Sequence, residues 1–233
     1  MAWGTLDRAI VACDVGTLDL PQTTAIVGTL RANRPSRFAK AAVDAVGAAI
    51  LLVLVSPLLL VLMIGVWIDS PGPAIFRQTR VGKDGRLFEV FKLRTMVSDA
   101  EDLKAALLVD NEYDGLLFKI RNDPRVTRFG RLLRRSSLDE LPQLVNVLRG
   151  EMSLVGPRPS LPVEVAAMES DTLRRFKVRP GITGLWQVSG RCNLGWDEAK
   201  LLDTYYADNW TVVGDVSILL RTAKAVVSAD GAC

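Results

Sequence analysis

Two adjacent carboxylates, Asp139 and Glu140, stand inside Arg134-Arg135-Ser136-Ser137-Leu138-Asp139-Glu140-Leu141-Pro142, and Gly156-Pro157-Arg158-Pro159 follows. An ionised aspartate can attack a phosphoanhydride when a cation and arginines neutralise the phosphates. Neighbouring residues on a helix diverge by about 100°, so two such carboxylates divide the labour. One attacks phosphorus while the other binds a metal or manages a proton. The chain has no histidine, which excludes Ser-His-Asp and Cys-His catalysis and imidazole metal sites. Any metal is therefore a hard, oxygen-bound cation such as magnesium. Cys13, Cys192 and Cys233, an odd number at long spacings, fit neither a zinc site nor a disulfide framework.

The carboxylates also have a purely structural reading. Ser137-Leu138-Asp139-Glu140 matches a capping box with Ser137 as N-cap. Pro142 would then fall in the first turn, and a helix that starts at Pro142 is the other option. Either way the acids lie at or beside a helix N-terminus, where exposed amides favour anions. In the Gly-Pro-Arg-Pro segment, two prolines stiffen the backbone around Arg158, whose guanidinium can grip a phosphate bidentately or simply be solvated. Arg179-Pro180-Gly181-Ile182-Thr183-Gly184-Leu185-Trp186-Gln187 is a second stiff turn, with Arg179 expected at a ligand and Trp186 in the core.

The elements around these residues follow from pattern. At 233 residues, the chain suits one ordinary domain plus an anchor. Ala45 to Ile68 carry no charge, about 36 Å as a helix and enough to span a bilayer. Ser56-Pro57 near its middle removes a backbone donor, so a bend is expected, with the Ser56 hydroxyl satisfying a freed carbonyl. Both flanks are basic: Arg31, Arg34, Arg37 and Lys40 before, Arg77, Arg80, Lys83 and Arg86 after. That symmetry favours a helix that re-enters one leaflet with both ends cytoplasmic, a kinked spanning helix being the alternative. Residues 1–36 are no signal peptide, because charges interrupt them; they read as a loosely ordered leader or the remnant of a larger N-terminal region.

Beyond the apolar run, Ala74 to Gln78 and Leu87 to Leu93 read as a hairpin turned at Lys83-Asp84-Gly85. Ser98-Asp99-Ala100-Glu101 opens a helix of roughly ten residues, and Asp123-Pro124 opens another. In the latter Val126, Phe129, Leu132 and Leu133 share an apolar face and Arg125, Arg128, Arg131 and Arg135 the basic one, which suits an anionic headgroup layer or plain solvent. A helix through Leu141, Leu144, Val145 and Leu148 stops at Gly150. Helical stretches follow at Val163 to Phe176, Asp197 to Tyr206 and Val216 to Val227. The expectation is an α+β fold, mostly helical, with a small hairpin, a Ser-Pro-broken re-entrant membrane helix and interfacial amphipathic helices. Its divisions are a leader over 1–36, a membrane element over 37–70 and a catalytic domain over 71–233.

Together these motifs resemble the monotopic phosphoglycosyl transferases, bacterial sugar transferases that act on polyprenyl phosphate. The matching residues are Ser56-Pro57, Phe91-Lys92-Leu93-Arg94-Thr95-Met96, Arg134 to Gln143, Gly150 to Pro159, Arg179 to Arg191 and Leu202-Asp203-Thr204-Tyr205-Tyr206. The resemblance implies that Asp139 attacks the β-phosphate of a UDP-sugar, releasing UMP and leaving a sugar-phosphate on the enzyme. The phosphate of undecaprenyl phosphate then takes that group, which starts exopolysaccharide or glycoconjugate assembly. Glu140 is implied in magnesium and proton handling, with Asp139 and Glu140 as the metal carboxylates. Lys92, Arg94, Arg134, Arg158 and Arg179 are implied at phosphates, and Gln187, Arg191 and Asp203 at the nucleotide or sugar. Larger members carry four further N-terminal membrane helices, which this chain is expected to lack. The implied home is the bacterial inner membrane, catalytic domain towards the cytoplasm, with membrane lipids as partners, a homodimer possible and no nucleic acid. Two other readings stand beside it: direct transfer in one ternary complex, and a non-catalytic lipid-bound scaffold. The residues do not name the sugar.

Overall fold

The computed structural model describes residues 37–104, 120, 123–190 and 195–228; the leader lies outside them. Helix α1 (Arg37–Asp69) runs unbroken through Pro57. Proline 57 cannot donate to the carbonyl four residues back, that of Val53, and the Ser56 hydroxyl donates to it instead at 2.9 Å. The expected repair of the freed carbonyl is therefore present inside a continuous helix. Asp44, Ala48, Leu62 and Val66 are buried on one stripe of α1, with Leu52, Val55 and Leu59 packed along it. That spacing of three and four is one helix face. The remaining circumference, including Val46, Ile50, Val53, Leu54, Leu60, Val61, Ile64 and Trp67, is exposed. Only 11% of its most apolar window is buried, so the protein does not enclose this helix as a core element.

Strands β1 (Ile75–Val81) and β2 (Leu87–Leu93) pair antiparallel from Ile75↔Leu93 to Val81↔Leu87. Asp84 and Gly85 adopt left-handed conformations in the turn, which closes the hairpin where Lys83-Asp84-Gly85 indicated. The first strand runs three residues past the expected Gln78, and the Val81 amide donates to the Ser160 carbonyl at 2.9 Å. Two further strands, β3 (Ser153–Val155) and β4 (Gly181–Thr183), pair in parallel; their three-residue length carries no readable periodicity.

The short helices are α2 (Ala100–Lys104), α3 (Arg128–Arg135), α4 (Gln143–Leu148), α5 (Pro162–Ala166) and α6 (Leu185–Val188). Longer ones, α7 (Trp196–Asn209) and α8 (Val212–Ser228), close the chain. The rest of the expected ten-residue helix after Ser98 lies outside the described residues. Three expectations are corrected. Helix α3 starts at Arg128, not Asp123-Pro124, because Thr127 caps it by accepting from the Gly130 amide. The Asp123 carboxylate is instead consumed by the Arg125 side chain and amide. Arg125 is thereby buried and Leu132 faces out with Arg128, Arg131 and Arg135, so the two expected faces exchange members. The stretch Val163 to Phe176 divides into α5 and a 3-10 helix, Ser170–Lys177.

Three apolar clusters hold these pieces, and α1 enters two. Ala48 packs with Val90, Leu144, Val147 and Met152, while Leu62 and Val66 pack with Leu93 and Leu133. The third joins Val155, Leu185, Leu202, Tyr206 and Ile218. Polar contacts fasten the start of α1 as well. Lys40 pairs with Asp215 at 2.6 Å, and Asp44 accepts from the Ser153 hydroxyl at 2.7 Å. Tyr206 and Trp210 also donate to Asp215.

Candidate active site

The hairpin register determines which side chains meet. Paired residues share a face of a sheet and alternate residues fall on it together, so Lys92 opposite Phe76 stands on the same face as Gln78 and Arg80. The acids arrive from the segment between α3 and α4. Ser137 is left-handed, φ 56°, and makes no side-chain cap, so the capping box is not formed. Leu138–Glu140 wind into one 3-10 turn and α4 begins after Pro142. Relieved of capping, Glu140 pairs with Lys92 at 2.7 Å.

Asp139 is 9% exposed. Burial pushes its carboxyl up to about 6; Lys92 and Arg134 pull it down, and Glu140 opposes them. Among the described residues no side chain donates a hydrogen bond to it. It is thus a carboxylate kept among charges yet not bound by any of them. Arg134 is steadied by its own bond from Nε to the Thr95 hydroxyl at 2.9 Å.

Next to this turn is a cleft of about 290 Å³, counting its open mouth, whose lining includes Arg80, Lys92, Glu140, Gln143, Arg158, Gly181, Ile182 and Gln187. Three cations face one carboxylate there, so the cleft favours an anion. Burial, then the neighbouring Arg158, lowers Arg80 to about 10. Arg80 keeps its place by donating to Gln78 and to the Pro159 carbonyl.

The far wall is made where Gly156-Pro157-Arg158-Pro159 leaves β3 and meets β4. Here glycine is required by contact rather than by torsion: a Cβ on Gly181 would lie 2.1 Å from the Gly156 nitrogen, and one on Gly184 2.1 Å from the Gly156 oxygen. The two stiff turns recognised in the sequence are one structure. Arg158 projects from it, with Cζ 5.4 Å from the Trp186 ring centroid. Trp186 packs partly into the third apolar cluster, so it both fills core and backs an arginine.

Lys92, Glu140, Arg158 and Gln187 therefore meet at the cleft, with Asp139 and Arg134 adjoining. Others expected at the site are placed elsewhere. Arg94 is buried and donates to the carbonyls of Ser70 and Pro71, tying the hairpin to the end of α1. Arg179 turns its guanidinium towards Gly150. Asp203 is 1% exposed and paired with Arg175 behind the Arg158 loop. Arg191 lies outside the described residues. Arg80, Gln143 and Arg175 were not anticipated. Strand parity from Lys92 would have found Arg80 once the hairpin register was known; nothing local pointed to Arg175.

The donor set suits magnesium as far as chemistry goes. Among the described residues no three carboxylate or thiolate groups cluster as a cage. Magnesium is commonly held by one or two carboxylates together with substrate phosphates and water, and Asp139 with Glu140 supplies that number.

The profile of the family described as bacterial sugar transferase matches residues 35–229. The chain is 44% identical to the undecaprenyl-phosphate galactose phosphotransferase of Salmonella typhimurium, over 86% of this chain and 43% of that protein. It is 42% identical to the UDP-glucose:undecaprenyl-phosphate glucose-1-phosphate transferase of Caulobacter vibrioides, over 83% of this chain and 71% of that one. With the exopolysaccharide production protein ExoY of Rhizobium meliloti it shares 39% identity, over 83% and 87% of the two chains. The chain thus spans less than half the length of the Salmonella relative and most of the Rhizobium one.

Proposed function

The chain belongs to the bacterial sugar transferase family, and from that premise we propose that it transfers a sugar-1-phosphate from a UDP-sugar to undecaprenyl phosphate. One observation carries the reading: the Asp139 carboxylate is held near Lys92 and Arg134 with no side-chain hydrogen bond from the described residues, beside a cationic cleft. Such a group is ionised at neutral pH and incompletely neutralised, which is what a nucleophile towards phosphorus requires.

In the first step an Asp139 oxygen bonds to the β-phosphorus, the bond from that phosphorus to the bridging oxygen breaks, and UMP leaves with the electron pair. In the second, an oxygen of the lipid phosphate bonds to the same phosphorus and the Asp139 carboxylate departs unchanged. No net proton moves. One phosphoanhydride replaces another, so positioning and charge neutralisation dominate the catalysis. Arg80, Lys92 and Arg158 are suited to hold the diphosphate, and Gln143 and Gln187 to orient the donor. Magnesium, when bound, would sit on Asp139 and Glu140 with phosphate oxygens and would screen the charge of the leaving phosphate. The exposed apolar girth of α1 belongs in lipid under this reading, and residues 71–233 belong on the cytoplasmic face with the helix re-entrant.

The test is UMP release from a panel of UDP-sugars with undecaprenyl phosphate and magnesium. Asp139→Asn is expected to lose more than about 10³-fold in turnover, and mass spectrometry of the donor-treated enzyme to find a sugar-phosphate on Asp139. Full turnover by that variant would exclude the covalent route, and turnover without an adduct would favour direct transfer. Cysteines placed near positions 36 and 72 test the topology: an impermeant reagent should label neither from outside, and labelling of one alone means a spanning helix.

A further inference from the structure

Pro157-Arg158-Pro159 contains a single backbone N–H, that of Arg158, because proline has none. Its other polar backbone groups are three carbonyls. Each of the four has a protein partner. The Pro157 carbonyl accepts from the Gly181 amide at 2.9 Å, and the Pro159 carbonyl accepts from Arg80 Nη1 at 3.0 Å. The two belonging to Arg158 are taken by one buried ion pair. Its N–H donates to Asp203 Oδ2 at 3.2 Å, and its carbonyl accepts from Arg175 Nη2 at 2.8 Å. The same Arg175 Nη2 also donates to Asp203 Oδ2.

Arg175 and Asp203 come from the 3-10 helix Ser170–Lys177 and from α7, behind the loop. They are 3% and 1% exposed and neither lines the cleft. A buried ion pair is poor evidence of added stability, since desolvation offsets much of the attraction. What this pair does have is an unusual geometry, a carboxylate and a guanidinium that grip the two backbone groups of one residue. We propose that Arg175 and Asp203 are positioning residues that fix the Arg158 peptide, so that its guanidinium, backed by Trp186, enters the cleft at one height. This rests on the transfer reading for its effect on rate, but not for the clamp itself.

The experiment uses the full chain in lipid nanodiscs. Asp203→Asn is expected to lower kcat/KM for the UDP-sugar about 10²-fold, the cost of a misplaced contact group. In an Arg158→Ala background the same substitution should change it less than about twofold, because the route of action has gone. Arg175→Lys, which keeps a donor, should recover part of the loss seen in Arg175→Met. An equal loss with and without Arg158 means a merely structural pair and overturns the proposal.

Should the single variants fold poorly, Arg175→Met/Asp203→Leu removes both charges together. Hydrogen exchange in this double variant should quicken at least about tenfold at the Arg158 amide and stay unchanged across β1 and β2. Unaltered exchange at that amide overturns the clamp without any need for turnover. Absence of UMP release by the wild type would instead overturn the transfer reading, with the exchange result still deciding the clamp.

Discussion

The two walls of the cleft are built on opposite principles. On one, the Asp139–Glu140 turn holds a carboxylate that burial destabilises and that no side chain among the described residues fastens. On the other, every polar backbone group of Pro157-Arg158-Pro159 has a protein partner. The acidic wall leaves its carboxylate under-satisfied. The basic wall keeps a group in place by satisfying everything except its side chain. The proposed attack on phosphorus needs both, since a nucleophile bound too well is inert and a loose guanidinium wastes its charge.

After loss of the Asp139 carboxylate itself, breaking the basic wall is expected to have the largest effect. Arg158→Ala should lower kcat/KM about 10²–10³-fold, the usual range for loss of one electrostatic contact to developing charge; Arg158→Lys should recover little, because a point charge does not reproduce the planar fork. A lysine variant with near wild-type rates would show that only charge matters at this wall.

The acidic wall is sharpened by pH. Under the proposed route Asp139 would attack only when ionised, and its carboxyl is raised to about 6. The profile of kcat/KM should rise with pH through about 6 and level off above, reporting the free enzyme. A limb near 4 would mean that the group is not held as buried as it is here.

The smallest effect is on stability. A folded pKa above the unfolded value means the protonated form is favoured in the fold, so this contribution is present below about 4 and lost as pH rises through about 6. Asp139→Asn does not titrate. It should therefore be the more stable protein above pH 6, by on the order of 2 kcal/mol, with the difference vanishing below pH 4. Urea unfolding of wild type and variant at pH 4 and pH 7.5 compares the two directly. Equal stability at both values would place the reactivity of this wall elsewhere than in burial.

Features whose causes lie within a few residues could be read from the chain. Pro57 frees the Val53 carbonyl and Ser56 is next to it, so the repair is local. The hairpin turn and the helix stop at Gly150, with φ 73°, are likewise settled by residues in place. The ordered motifs of acids, arginines and prolines also pointed to the family, which the match over residues 35–229 bears out. The capping box failed although its local pattern was sound: the Lys92 ammonium, 48 residues away in sequence, took Glu140 instead. Arg80 reached the cleft through strand register, β3 and β4 formed through glycine contact, and Arg175 came to Arg158 only through the packing of α7. Such partners are chosen by which surfaces fit when distant segments pack, and no local period encodes that fit.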